Sequence, residues 1–125
     1  MRKEFEKEKP YAVELYVKIK SKFLKGKMDK QNSFNKALRL LDKGETERAI
    51  ELLKELNENS FKEEDIMYAI KTSCILGEYY LLENQTEAGL GYLEKVIKLK
   101  EADDDICDIL EYEISRAEEL LDSIQ

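Results

Sequence analysis

Apolar residues recur at helical spacing through almost the whole chain, in runs of about four turns separated by very short breaks, and no stretch alternates with a period of two. That pattern confines the chain to helices packed on helices. A single Pro and five Gly in 125 residues leave too few turn formers for a domain of many short strands. The expected fold class is all-α, with about six helices and antiparallel hairpins wherever the connection is short.

The punctuation sets the expected segments. Residues 1–10 form a charged tail. Pro10 opens a helix over 11–25, and Gly26 stops it. A second helix spans about 30–43, with Phe34, Ala37, Leu38 and Leu41 at helical spacing. Gly44 ends it, and Thr46 opens a third carrying Ala49, Ile50, Leu53 and Leu56. Asn57-Glu58-Asn59-Ser60 is expected as a loop, with Ser60-x-x-Glu63 as a capping box for a long helix over 61–83. A fifth helix covers about 86–100. Asp103-Asp104-Asp105 then starts a capping helix over 104–123, where acidic residues suit the helix dipole.

The charge is strongly divided. Residues 1–43 hold 13 Lys and Arg against 6 Asp and Glu, net +7, and residues 44–125 hold 8 against 22, net −14. No run approaches the length of a membrane span, and the first residues lack the apolar core of a secretory signal, so a cytoplasmic chain is expected. Opposite poles of this kind can pair between copies, which implies a salt-sensitive homodimer.

Catalytic chemistry is poorly supplied. The chain has no His, the commonest general base and neutral metal ligand. Cys74 and Cys107 each fall on an apolar helix face. They read as small buried hydrophobes, with a disulfide or a reactive thiol as the alternative. The group Asp103, Asp104, Asp105 and Asp108 lacks the Gly and terminal Glu of a calcium loop. Gly89-x-Gly91 lies mid-helix after no strand, so it is no phosphate loop. No catalytic residue, cofactor or metal is expected, and the chain is read as a non-enzyme.

An internal repeat is visible. Gly44-Glu45-Thr46-Glu47-Arg48-Ala49-Ile50-Glu51-Leu52-Leu53 aligns with Asn84-Gln85-Thr86-Glu87-Ala88-Gly89-Leu90-Gly91-Tyr92-Leu93. Leu76-Gly77-x2-Tyr80, Ala49-x3-Leu53 and Gly89-x3-Leu93 resemble the tetratricopeptide repeat. Departures are Ser33 and Ser73 at its Trp position, Phe61 and Glu101 at its closing Pro, and a spacing of 40 residues. The six extra residues are assigned to the 57–63 connection. The resemblance implies two repeats, 30–57 and 61–100, in a right-handed superhelix with 104–123 as its cap. A compact helical bundle is the other arrangement open to the same pattern.

The same resemblance implies a protein-binding groove lined by the first helix of each repeat. In register it takes Gln31, Phe34, Leu38 and Leu41, then Lys71, Cys74, Glu78 and Leu81, with Asp108, Tyr112 and Ser115 added by the last helix. Such an apolar groove suits a partner helix or peptide in an adaptor, scaffold or regulatory subunit. The helix at 11–25 is an alternative filling for it. A second reading is a small acidic helical inhibitor, of the kind phages and mobile elements carry, occluding a basic surface of a nucleic-acid-binding protein. The basic patch Lys18, Lys22 and Lys25 invites direct nucleic-acid binding, but the acidic body argues against it.

Overall fold

The computed structural model describes residues 29–103 and 105–124. The tail, the helix expected at 11–25 and the basic patch Lys18, Lys22 and Lys25 lie outside the described residues. Two compact units divide the chain, Met1–Ser33 and Phe34–Gln125, and the second holds both clusters of buried apolar residues. Every regular element among the described residues is a helix. Helix α1 covers 29–42, α2 is Thr46–Lys62, α3 Ile66–Leu82, α4 Thr86–Ala102, α5 Ile106–Ile109 and α6 Glu111–Ile124.

Helices α2, α3, α4 and α5 start twenty residues apart, and each of the first three is 17 residues long. The turns between them are built alike. Gly44, Glu64 and Asn84 take positive φ of 82°, 56° and 61°. In each, the next N–H reaches back to a carbonyl of the preceding helix, Glu45 to Leu40, Asp65 to Ser60 and Gln85 to Tyr80, at 2.8–2.9 Å. This is the Schellman stop, which satisfies carbonyls that the helix end leaves open. The 40-residue repeat is therefore two 20-residue helix–turn units. Its middle copy is hidden in the sequence because Glu64, not a Gly or Asn, holds the left-handed position of that turn.

Three expected boundaries are corrected. The expected loop 57–60 is helical, since α2 runs on to Lys62. Asn57 is buried there, and its Nδ2 donates to Thr72 Oγ1 and Ser73 Oγ, both at 2.9 Å. Ser60 caps nothing. Its hydroxyl donates to the Leu56 carbonyl within α2, and α3 starts at Ile66 with Asp65 accepting from the Tyr68 N–H. The connection is a three-residue turn like its neighbours. The single cap expected over 104–123 is also two pieces, because Leu110 leaves helical geometry (φ −114°, ψ 37°) between α5 and α6.

Helix α3 is central. On one flank Leu76 and Tyr80 join Ala37 of α1 with Ile50 and Leu53 of α2. On the other, Ile70 and Cys74 join Leu93 and Val96 of α4, Ile106 of α5, and Leu110, Ile114 and Ala117 of the α6 end. Fully burying each large aliphatic side chain in these clusters stabilises the fold by ~1.5–3 kcal/mol. At the edge of the first cluster, Tyr80 and Tyr92 stack with centroids 5.8 Å apart. Lys54 lies over the Tyr80 ring, and Lys95 lies over Phe61 and Tyr92, tying α2, α3 and α4 together.

Candidate functional site

Both flanks of α3 are covered, so its remaining arc, half-buried at Lys71, Ile75 and Glu78 and exposed at Leu82, is where a partner could reach it. At about 100° per residue, Lys71, Ile75, Glu78 and Leu82 share an arc of about 60°. Contacts at its two edges fix what lies beside it. Toward α1, Phe34 meets Tyr68 edge to face at 5.8 Å, and Lys71 Nζ sits 5.7 Å from the Phe34 ring and 5.6 Å from the Tyr68 ring. Toward α6, Arg116 donates to the Glu78 carboxylate and, at 3.2 Å, to Glu119. These hydrogen bonds hold the guanidinium pKa above its ordinary value.

The same contacts set the levels. Antiparallel turns on either side of α2 make α1 and α3 run in one direction. Phe34 sits beside Tyr68 and Lys71, so Leu38, one turn further, comes level with Ile75. Glu113 accepts from Cys74 and Arg116 reaches Glu78, so α6 also runs with α3 and carries Tyr112 to the level of Ile75. Leu38, Ile75 and Tyr112 thus come to about one level on three helices, with Ile75 half-buried against the α1–α2–α3 core. Leu38 is 36% exposed and Tyr112 78%, with Leu82 at 76% at the far end of α3. Ile109, on the separate short helix α5, is 63% exposed.

The residues named from sequence divide accordingly. Lys71 lies over the Phe34 ring and shares the α3 arc with Glu78, while Leu38 and Tyr112 are exposed on α1 and α6. Leu41 is half-buried against the α1–α2–α3 core. Cys74 and Leu81 sit on the covered flank. The Cys74 thiol donates to the Glu113 carbonyl at 3.3 Å, and Leu81 presses against Gly89. Burial, with Glu78 and Glu113 nearby, pushes the Cys74 thiol up to about 11. Both cysteines are free. Asp108 and Ser115 are exposed on α5 and α6, and Gln31 belongs to the first unit.

Sequence reasoning did not single out Leu82 or Arg116. The spacing i, i+4, i+7, i+11 from Lys71 was the signal for Leu82, and it competes with i, i+3, i+7, i+10 on an equally apolar helix. Arg116 stands out as the one basic residue between Asp105 and Ile124. Among the described residues no group of three His, Cys, Asp or Glu could hold a metal ion, and no helix is long and apolar enough to cross a membrane. Compared with protein-family models, curated proteins and solved structures, the chain matches none of them.

Proposed function

We propose that this chain is a non-enzymatic protein-interaction module that holds a helical or peptide segment of another protein along the remaining arc of α3. The observation that supports this best is the row Leu38, Ile75 and Tyr112, one apolar side chain at about one level on each of three neighbouring helices. Scattered single hydrophobes are ordinary on a surface, whereas an ordered row flanked by charge is what partner anchors use. Lys71 and the Glu78–Arg116 pair mark the polar edges that would fix register. The tetratricopeptide-like reading belongs to the same proposal. It is supported by α1 sharing a core with α2 and α3, and by the turn repeated along the chain.

Selection of a displayed peptide library on the full chain tests the proposal. The expected result is recovered peptides that share apolar anchors at i, i+3, i+4 or i+7. Their binding should be lost in Leu38→Glu and in Tyr112→Glu, with thermal unfolding unchanged in Tyr112→Glu because that side chain is 78% exposed. Peptides with no common anchor spacing, or binding that ignores both substitutions, would overturn it.

A further inference from the structure

We infer that the segment held on this strip is cationic as well as amphipathic, with its apolar side on Leu38, Ile75 and Tyr112 and its basic side over the α5–α6 wall. This rests on the groove reading and adds the sign of the partner's charge.

The wall supplies the argument. Between Asp105 and Ile124 there are seven acidic side chains and one basic one. That one, Arg116, is already bonded to Glu78 and Glu119, and Lys100 of α4 pairs with Glu118. Asp105, Asp108, Glu111 and Asp122 are exposed on the same two helices that carry the exposed apolar side chains Ile109 and Tyr112. Across the strip α1 is mixed, with exposed Asp42 one turn past Leu38 and exposed Arg39 and Lys43 near it. An acidic segment seated on the row would therefore meet like charge along the α5–α6 wall. A cationic one meets opposite charge there. Like-charge juxtaposition costs affinity, while complementary rims speed encounter and fix orientation. Nucleic acid and anionic lipid meet the same repulsion as an acidic peptide. On α3 itself Lys71 is basic, standing over the Phe34 and Tyr68 rings at the opposite end of the strip from Leu82. It gives the strip a direction, and the basic end of the ligand lies away from it.

Calorimetric titration of the full chain with two synthetic amphipathic helices tests the sign. One is built of Leu and Lys in two heptads, and the other has every Lys replaced by Glu. Rim charges act mainly through encounter and are screened by salt. Wild type should bind the Leu/Lys peptide at least ~10-fold more tightly than the Leu/Glu peptide, and the difference should shrink at high ionic strength. Glu111→Lys/Asp122→Lys should reduce that preference about ten-fold. Leu38→Gln and Tyr112→Gln should each weaken the Leu/Lys peptide without changing the wall. Equal affinity for the two peptides, or none for the Leu/Lys peptide, overturns the charge inference and leaves the groove reading to its own library test. Leu/Lys binding that ignores both Gln variants signals diffuse attraction to an acidic chain, and overturns both. A concentration-dependent dimer abolished by Tyr112→Gln makes a second copy the occupant and also overturns this inference.

Discussion

Gly77 and Gly89 meet across the α3–α4 contact with no space for a side chain on either. A Cβ on Gly89 would lie 2.9 Å from the Gly77 carbonyl oxygen and 2.9 Å from Leu81, and a Cβ on Gly77 would lie 2.7 Å from Leu93. Two helices can approach this closely only where both lack a side chain at the crossing.

Gly89→Ala is expected to destabilise the protein by ~1–3 kcal/mol, because a backbone oxygen cannot step aside and the helices must part. That loss outweighs the gain of about 1 kcal/mol from replacing a mid-helix Gly by Ala. Gly91 is the internal control. Nothing lies within 4 Å of a Cβ there, so Gly91→Ala should stabilise by about 0.5–1 kcal/mol. Urea unfolding of the two variants should shift the midpoint in opposite directions. A shift of the same sign in both contradicts the close crossing.

The buried amide of Asn57 bonds Thr72 and Ser73, and Thr72 in turn donates to the Tyr68 carbonyl. Asn57→Ala should cost ~2–3 kcal/mol, since it leaves two buried hydroxyls without that donor and opens a void. Asn57→Leu fills the void and leaves the hydroxyls as they were, so it should not restore stability. A Leu variant as stable as wild type by thermal unfolding would show that packing alone matters there.

Glu64 occupies a left-handed position that its neighbours in the repeat give to Gly44 and Asn84. A side chain with a Cβ costs about 1–2 kcal/mol in that backbone region. Glu64→Gly is therefore expected to raise stability by ~0.5–1 kcal/mol, and Gly44→Ala to lower it by about 1 kcal/mol. Denaturation midpoints of both variants check the pair.

Alkali should unfold the protein earlier than charge repulsion alone would. Burial holds the Cys74 thiol at about 11 against an ordinary 9.0, so the folded state keeps a proton that the unfolded state releases. The stabilisation is complete below pH 9 and is lost as pH rises through about 11. Two other groups shift the same way: burial raises Tyr92, and a hydrogen bond to Tyr80 raises Lys54. Cys74→Ala should flatten the fall in unfolding midpoint between pH 9 and 11. In native protein at pH 8, an alkylating reagent should label half-buried Cys107 well before Cys74. Equal labelling of the two thiols would contradict the burial.

Much of the fold was legible in the residues themselves, because helix signals are local. Periodic apolar positions, a Gly or Asn that tolerates positive φ, and a small residue at Ala49 or Gly89 report their role within one or two turns of chain. They determined an all-α chain, the starts at Thr46 and Thr86, and most of the core. Only tertiary structure decided the rest. Asn57-Glu58-Asn59-Ser60 is a poor helix former by propensity, and it stays helical because Asn57 finds hydroxyl partners 15 and 16 residues along the chain. Leu110 is apolar and helix-forming, yet the chain leaves helical geometry there, while Ile106, Leu110 and Ile114 all lie in one core. The candidate site shows the limit most clearly. Helix α3 is apolar on nearly every side, so periodicity could not choose between the arc with Cys74 and Leu81 and the arc with Ile75 and Leu82. The neighbours made that choice: α4 and α6 cover the first arc, and α1 and α6 border the second.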